Sequence, residues 1–359
     1  MAIKRLFYNV LIFSLAFVAS HALAQELTTN DAGLYEAAKK EGGLVWYVSA
    51  PIDAMRAVAN EFEKKYPGVT VQIIRLPSVQ QYARFLEEVK AKRYTADILQ
   101  ITDYPSMASL VQEKLVAEWR MPTADRIPDE YRIKNFAYTA ATTEIVIVYN
   151  TNKVTPEEVK ILASGWDSVL DPRFNNRIAI TSNVCGACYA NVQMFLDPKY
   201  KGRFGWPFLE KVVKQNPTNY SDIAIALDRV ISGEQDILFW VWEAAAVAKW
   251  QQGAPIRWVR PAPSVVFGNN WQAIPNFAPH PNAARLFQNW SFSEDGMRVY
   301  QLKYGAATVL KDYPDIRAVV KEPWYMPVKE PYAIDRTVWE KNFERDMGLW
   351  QKLAKSATH

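Results

Sequence analysis

The sequence predicts an α/β protein with two lobes, and three observations support this fold class. Short apolar runs alternate with amphipathic helical patterns along the chain, which is typical of sheets with largely parallel strands. The chain has 359 residues, more than a single hydrophobic core usually serves. Two apolar β runs, at 143–151 and 264–275, are long enough to pass from one lobe to the other.

The first 24 residues have the pattern of a secretory signal peptide. Lys4 and Arg5 precede an apolar run at 6–18, and Ala22-Leu23-Ala24 then gives the small-x-small pattern that signal peptidase cuts. The apolar run is shorter than the ~20 residues that a membrane-spanning helix needs, which disfavours the alternative of a membrane anchor. We therefore predict export to the periplasm and removal of residues 1–24.

Composition excludes some classes of partner. The formal net charge is +4, hydrophobic residues make up 49% of the chain and charged residues 22%. Such a balance gives no electrostatic reason to expect nucleic acid or an anionic membrane as a partner. Thirteen tryptophans are many for a globular protein. We expect most of them in the core and some to face a ligand.

The first half of the chain predicts three strands, each followed by a helix. Apolar and amphipathic patterns place the strands at 43–50, 69–76 and 96–101, and the helices at 52–68, 79–93 and 106–116. The strands then end near Ser49, Pro77 and Thr102, on one edge of a sheet. Ligands of open α/β sheets bind beside such carboxyl ends.

The second half repeats this alternation with different connections. Patterns predict a long strand at 143–151, a strand at 177–180, a helix that Gly233 ends, strands at 237–242 and 256–259, and a second long β run at 264–275. Neither a tandem repeat nor a low-complexity linker separates the halves. We therefore expect interwoven lobes.

Several of these segments together resemble the extracellular solute-binding proteins of ABC importers, in the branch with ferric-ion, phosphonate and thiamine binders. The resemblance covers residues 43–311 and is carried, in order, by "LVWYVSAPIDAMRAVANEFEKKYPGVTVQ", "ADILQ", "IVIVYNTNKV", "WDSVLDPRFNNRIAI", "VISGEQDI" and "HPNAARLFQNWSFSEDGMRVY". It is specific for the family but not for the solute.

The resemblance implies a type II two-lobe periplasmic-binding-protein fold. Two strands would cross between the lobes, near 142–149 and 265–271, and the lobes would close over a solute held in the cleft. The first lobe would comprise residues 25–142 and 268–359, and the second lobe residues 143–267. The protein would be a monomer that delivers its small-molecule solute to an ABC membrane permease, without chemistry on the solute and without a cofactor.

Ferric iron is an alternative solute that the residues support weakly. In iron binders of this type, two consecutive tyrosines follow the strand after the "SGE" turn, whereas Glu243 and Ala244 stand there in this sequence. Hard ferric iron requires several anionic oxygen ligands. Apart from Glu243, only Asp53, Asp103 and Glu144 could supply them, so we expect no metal site.

The resemblance also implies an anion site at the turn that follows the strand at 177–180. Backbone amides at the start of the next helix would bind an anionic group, because a helix N-terminus presents unpaired N–H donors and the positive end of its dipole. This predicts a carboxylate or a phosphonate on the solute. The residues of this turn are Thr181, Ser182, Asn183, Cys185, Gly186 and Ala187.

The chain has only two cysteines, Cys185 and Cys188, spaced as Cys-x-x-Cys in this turn. An oxidising compartment favours a disulfide that stiffens the turn, and two buried thiols are the alternative. A redox function would require the motif in a different fold. A zinc site would lack its two further ligands.

Aromatic residues in segments that border the cleft in the resembling proteins would suit an aromatic or amphoteric acid, but the sequence does not choose between these and other solutes. An indole can stack on an aromatic ring or face a cation, and Glu243 or Glu144 could face an amine. We expect Trp240 in the core. The full set of predicted ligand-binding residues is Ser49, Pro51, Ser78, Asp103, Thr142, Thr181, Ser182, Asn183, Cys185, Gly186, Ala187, Tyr220, Trp242, Glu243 and Trp271.

Other classes of function have less support in the sequence. The common nucleophile, dinucleotide and phosphate-loop motifs of enzymes are absent. A solute-sensing partner of a membrane receptor would use the same two lobes as a transport protein, so the sequence leaves that alternative open. The aromatic tail at 322–355 predicts a closing helix, which we expect on the first lobe.

Overall fold

The structure is a computed structural model that describes residues 31–184 and 186–357. The predicted signal peptide lies outside the described residues. The strands are β1 (Gly43–Val48), β2 (Thr70–Arg75), β3 (Ile98–Ile101), β4 (Arg132–Ile133), β5 (Ala137–Asn150), β6 (Ile178–Thr181), β7 (Thr218–Tyr220), β8 (Ile237–Trp242), β9 (Ile256–Val259), β10 (Ser264–Ala273) and β11 (Pro331–Tyr332).

Helices cover the mixed sheet that these strands form. Their bounds are α1 (Asp31–Glu41), α2 (Ile52–Lys65), α3 (Ser78–Lys90), α4 (Tyr104–Gln112), α5 (Pro156–Leu162), α6 (Gly186–Leu196), α7 (Trp206–Val213), α8 (Ile223–Ser232), α9 (Glu243–Gln251), α10 (Pro281–Ser291), α11 (Glu294–Val299) and α12 (Arg336–Lys355). None of these helices has both the length and the apolar character needed to cross a membrane.

The strand order is β2-β1-β3-β10-β5-β8-β6-β7, and β5 is the strand that both halves of the sheet share. The outer strands of each half pair in parallel, as the alternation of strands and helices predicts. The two long strands β5 and β10 pair antiparallel with each other. The predicted α/β class and the two crossing strands are therefore confirmed.

Strand β5 changes its partners in the middle. Its first part pairs with β10 up to the pair Glu144–Val266. The next residue, Ile145, pairs with Trp242 of β8, and β9 pairs with the remainder of the strand from the other side. Thirteen of its fourteen residues are buried, and Glu144 alone is partly exposed. This almost fully buried strand joins the two halves.

The first half of the sheet has a core on each face. Met55, Val58, Ala59 and Phe62 of α2 are all fully buried against one face, as the helical period of these residues predicts. Phe62 contacts Phe287 of α10 at 5.0 Å between ring centroids. Helices α3 and α4 cover the opposite face.

The second half has a separate aromatic core. Trp166 packs edge-on against Phe195 of α6 and Phe239 of β8, at 5.5 and 5.9 Å between centroids. Trp240 is 3% exposed, so its predicted place in the core is confirmed. Gly233, in the left-handed region with φ 78°, follows the last residue of α8. This is the predicted helix stop.

Helix α12 packs on α6, which corrects the expectation that the tail helix lies on the first lobe. Trp339 lies edge-on to Tyr189 of α6, at 5.0 Å between centroids. Trp350 contacts Trp240 at 4.7 Å, and its Nε1 donates to the Thr181 carbonyl over 2.9 Å. The amphipathic pattern of the tail predicts a helix but carries no information on which surface will receive it. The lobe boundaries given above remain a prediction.

The contact of Trp350 with the second core predicts a large loss of stability in Trp350→Ala. The side chain is fully buried, so its removal leaves a cavity and an unpaired Thr181 carbonyl. We expect the free energy of unfolding in urea to fall by about 3–5 kcal/mol. The neighbouring Leu349→Ala is the control, because Leu349 is 46% exposed, and its effect should stay within about 0.5 kcal/mol. Equal losses in both variants would contradict the packing of α12.

Candidate ligand-binding site

The carboxyl ends of the first three strands converge, as predicted. The Ser78 hydroxyl lies 2.6 Å from the Thr102 hydroxyl and accepts a hydrogen bond from the Thr102 amide. The Ser49 hydroxyl donates to the Gln100 carbonyl. Pro51 precedes α2, and Asp103 caps α4 by accepting from the Ser106 amide over 3.1 Å. These residues form one polar edge, and their role in binding a solute remains a prediction.

The predicted anion-binding turn follows β6 at the edge of the other half. Thr181 and Ser182 are buried and Asn183 is half-buried. The carbonyl of Ser182 accepts from Gln351 of α12, so the tail covers part of this turn. Cys185 lies outside the described residues. Gly186 begins α6 and Ala187 follows it in the helix.

Cys188 is disulfide-bonded. Because Cys185 is the only other cysteine of the chain, this favours the disulfide over the alternative of two buried thiols. A loop this short gains little stability from the bond. Its main effect is therefore on the local shape of the turn before α6.

Three other predicted binding residues contact other parts of the protein itself. They are Tyr220, Thr142 and Trp242. The Tyr220 hydroxyl donates to Glu234 over 3.2 Å. Thr142 is buried, and its backbone exchanges hydrogen bonds with Ala307. Trp242 is half-buried and packs against the cores of both halves.

Glu243 is buried in an ion-pair cluster, which argues against its predicted role as the partner of a solute amine. Its Oε1 accepts from Trp258 Nε1 over 3.0 Å and from the Arg260 guanidinium. Its Oε2 accepts from Arg317 over 2.8 Å. The side chain is 1% exposed. Both carboxylate oxygens are thus occupied by groups of the protein itself.

The cluster extends to Glu144, the residue at which β5 changes partners. Arg260 donates to Glu144 and to the Met326 carbonyl, and the ring of Tyr325 lies 3.9 Å from its guanidinium carbon. Arg317 also pairs with Asp315 over 2.7 Å. Three carboxylates thus face two guanidinium groups. Burial and, second, the charge of Glu243 raise the pKa of Glu144 to about 7 against the opposing effect of Arg260.

The carboxylates named for ferric iron are not grouped as a metal site. Within residues 31–184 and 186–357, no set of three His, Cys, Asp or Glu side chains is placed to hold a metal ion. Glu144 and Glu243 are each paired with arginine. His280 lies 2.9 Å from Asp97, a contact within the first half.

A cavity of about 320 Å³ lies beside the crossing strand β10. It reaches from the polar edge at Thr102 to the first turn of α12. Of the predicted binding residues, Trp271 lines it. The remaining lining residues are Thr102, Tyr104, Glu130, Tyr131, Val266, Phe267, Gly268, Pro331, Tyr332, Ala333, Ile334, Arg336 and Trp339. Sequence reasoning missed the contribution of 331–339, because it placed the tail elsewhere.

Arg336 is the cation of this cavity. Its guanidinium carbon lies 4.4 Å from the centroid of Tyr104 and 5.4 Å from that of Trp271. One of its nitrogens donates to the Glu130 carbonyl. Among the described residues, no carboxylate forms an ion pair with it. The aromatic rings therefore hold a guanidinium whose charge is not neutralised by a protein carboxylate.

Tyr131 adds a neutral hydroxyl to the cavity. Burial raises the pKa of Tyr131, and the nearby charges of Glu130 and Glu144 raise it further. The phenol therefore stays protonated at neutral pH and keeps its O–H donor.

A sheet whose halves are joined by two crossing strands, with a cavity beside one of them, defines a two-lobe binding protein. The chain belongs to the family described as "Bacterial extracellular solute-binding protein", whose model matches residues 44–305. No curated protein sequence matches the chain significantly. The cavity residues at 331–339 lie beyond the range that the family model matches.

Solved structures of periplasmic binding proteins share this fold. Iron-bound HitA from Pseudomonas aeruginosa has a TM-score of 0.67 at 19% identity and covers 88% of this chain and 99% of its own. The substrate-binding protein of an ABC transporter from Agrobacterium tumefaciens has a TM-score of 0.71 at 18% identity, over 87% and 94%. AfuA from Actinobacillus pleuropneumoniae, with fructose-6-phosphate bound, has a TM-score of 0.67 at 18% identity, over 87% and 99%.

The raised pKa of Glu144 predicts a pH dependence of stability with a definite sign. A carboxyl that binds its proton more tightly in the folded state stabilises the fold below its unfolded pKa of about 4.5, and this contribution is lost as the pH rises to about 7. Glu144→Gln resembles the protonated acid at every pH. We expect the free energy of unfolding of the wild type, measured in urea, to fall relative to that of Glu144→Gln as the pH rises from 5 through 6 to 7.

The control for this measurement is Glu340→Gln, which removes the same charge from an exposed position on α12. Its stability should run parallel to the wild type across the same pH range. If the curves of wild type and Glu144→Gln are also parallel, the burial of an acidic proton at Glu144 is refuted.

Proposed function

We propose that this protein captures a small organic anion between its lobes and presents the closed complex to the permease of an ABC importer. Membership of the solute-binding family supports the general role. The observation that carries the proposal is the cavity beside β10, because it combines an apolar aromatic wall with one cation. Ligand sites are typically mostly apolar pockets of about 300–1,000 Å³ with a few polar groups.

The chemistry of the solute follows from the groups that face it. A carboxylate or phosphonate suits the Arg336 guanidinium, which can donate two parallel hydrogen bonds to such a group. The amides at the start of α6 would bind an anion at the opposite edge. An aromatic solute suits the wall of Tyr104 and Trp271, and an amphoteric one could also use Glu130.

The proposed location is the periplasm, to which residues 1–24 would direct the protein as a signal peptide. The proposed lobes are residues 25–142 with 268–359, α12 excepted, and residues 143–267. Helix α12 packs on α6 and so would move with the second lobe. We propose that the protein acts as a monomer, with β5 and β10 as the hinge.

Ferric iron is the competing solute. The solved structure of HitA contains iron, which is a property of that protein. The pairing of Glu144 and Glu243 with Arg260 favours an organic anion for this chain, since iron requires anionic oxygens that are not already neutralised.

A thermal-shift screen of the chain without residues 1–24 tests the proposal. Separate panels of carboxylates, phosphonates, amines, aromatic acids and ferric citrate are added to the protein, since binding to the folded state alone raises the melting temperature. At 100 times the Kd, a solute stabilises the fold by about 2.7 kcal/mol, a shift of a few degrees for a chain of this size.

The expected result is a rise in melting temperature with an organic anion and none with amines. A rise with ferric citrate and none with citrate alone would favour iron. If no small molecule in any panel shifts the transition, capture of a small organic anion is contradicted.

A further inference from the structure

We propose that the cavity beside β10 recognises an aromatic monocarboxylate and that Arg336, contributed by the C-terminal helix, binds the carboxylate directly. This inference rests on the proposed function and names the solute class and the anchoring residue. Arg336 lies outside the residues that the family model matches, so the proposed anchor is a feature of this chain's tail.

The first argument is the state of the Arg336 side chain. The guanidinium has five N–H donors, and within the described residues one hydrogen bond uses them, to the Glu130 carbonyl. Two rings, Tyr104 and Trp271, fix its plane by cation–π contacts. The guanidinium is thus held in a fixed orientation, has unused N–H donors and has no carboxylate partner in the described chain. Such a cation is well placed to bind an anion of the solute.

The second argument is the wall of the cavity. Tyr131, Phe267 and Trp339 line it together with residues 331–334 of the tail. Phe267 and Trp339 are largely buried, so these rings are in place before a solute enters. A planar ring packs well against such side chains and gains from offset or edge-on contacts. The volume of about 320 Å³ accommodates a substituted benzoic acid.

The third argument is the charge balance. Arg336 is the only Lys or Arg among the lining residues, and the exposed Glu130 brings one negative charge to the rim. A phosphonate or dicarboxylate dianion would therefore meet a single cation and a repelling carboxylate. A monocarboxylate carries one negative charge and so matches the single cation of the cavity. The charge balance therefore favours a monocarboxylate over a phosphonate or a dicarboxylate.

The position of Arg336 also links binding to the relative placement of the two halves. Helix α12 is fixed on α6 by Trp339 and Trp350. From its first residue, Arg336 reaches Tyr104 at the edge of the first half. A carboxylate bound to this guanidinium would be held between elements of both halves, as capture by closure requires.

The test measures binding by calorimetry to the full chain without residues 1–24. The probes are benzoate and 4-hydroxybenzoate, with benzamide as a neutral analogue and cyclohexanecarboxylate as a non-aromatic acid. The variants are Arg336→Met and Arg336→Lys. The matched control is Lys341→Met, which removes a positive charge from an exposed position of the same helix. Unfolding curves of all variants verify the fold.

We expect wild type to bind the aromatic acids at least tenfold more tightly than benzamide or cyclohexanecarboxylate. Arg336→Met should weaken benzoate by about ten- to hundredfold and abolish the preference for benzoate over benzamide, since a charged hydrogen-bonded pair is lost. Arg336→Lys should retain part of that preference because it keeps the charge without the planar fork. Lys341→Met should bind as wild type does.

Three results would overturn the inference. If Arg336→Met folds and keeps the preference for benzoate over benzamide, Arg336 serves only as a structural contact. If Arg336→Met does not fold and Arg336→Lys binds benzoate as wild type does, direct paired recognition is refuted. If the screen finds another organic anion and the aromatic acids do not bind, this inference fails while the proposed function stands. If no organic anion binds, both this inference and the proposed function are refuted.

Discussion

The pairing of β5 with both halves of the sheet is the constraint on which the rest of the structure depends. Every backbone N–H and C=O of a buried strand requires a partner; β5 pairs with β10 along its first part, and with β8 on one side and β9 on the other along its second part. The change from β10 to the strands of the second half occurs at Glu144, between Thr143 and Ile145. The strand order, the three cores and the cavity beside β10 all depend on where this change of partners takes place.

A buried ion-pair cluster sits at the same point. Removing two charges from water costs several kcal/mol for each ion, so such pairs persist only with close geometry and further hydrogen bonds. Arg260 and Arg317 meet this condition through carboxylates, carbonyls and the Tyr325 hydroxyl. Because Met326 and Tyr325 belong to the tail, the cluster also attaches the tail to the crossing point. This explains why Glu243, which the sequence suggested as a contact of the solute, is used internally here.

Local sequence patterns predicted much of the sheet but little of the site. The bounds of β8 and β9 agree with the prediction, because each is a short apolar run between clear turn signals. Strand β5 begins at Ala137, six residues before the predicted start, since its alanine and threonine residues are less characteristic of a strand than Ile145–Tyr149. One of the partners of Glu243 lies 74 residues away at Arg317. The sequence pattern predicts the helix that carries Arg336, but it does not predict the surface on which this helix packs. Contacts at such separations depend on the topology, which local periodicity does not encode.

The path of the tail has a mechanical consequence. After Tyr313, which still packs against the first core, the chain leaves the first half, contributes to the cluster at Glu144, pairs β11 with the start of β10 and ends in α12 on the second half. The halves are therefore joined by three segments instead of two. Two paired strands alone can twist as well as bend, whereas a third connection restrains twisting. The halves therefore have less freedom of relative motion than two strands alone would leave them.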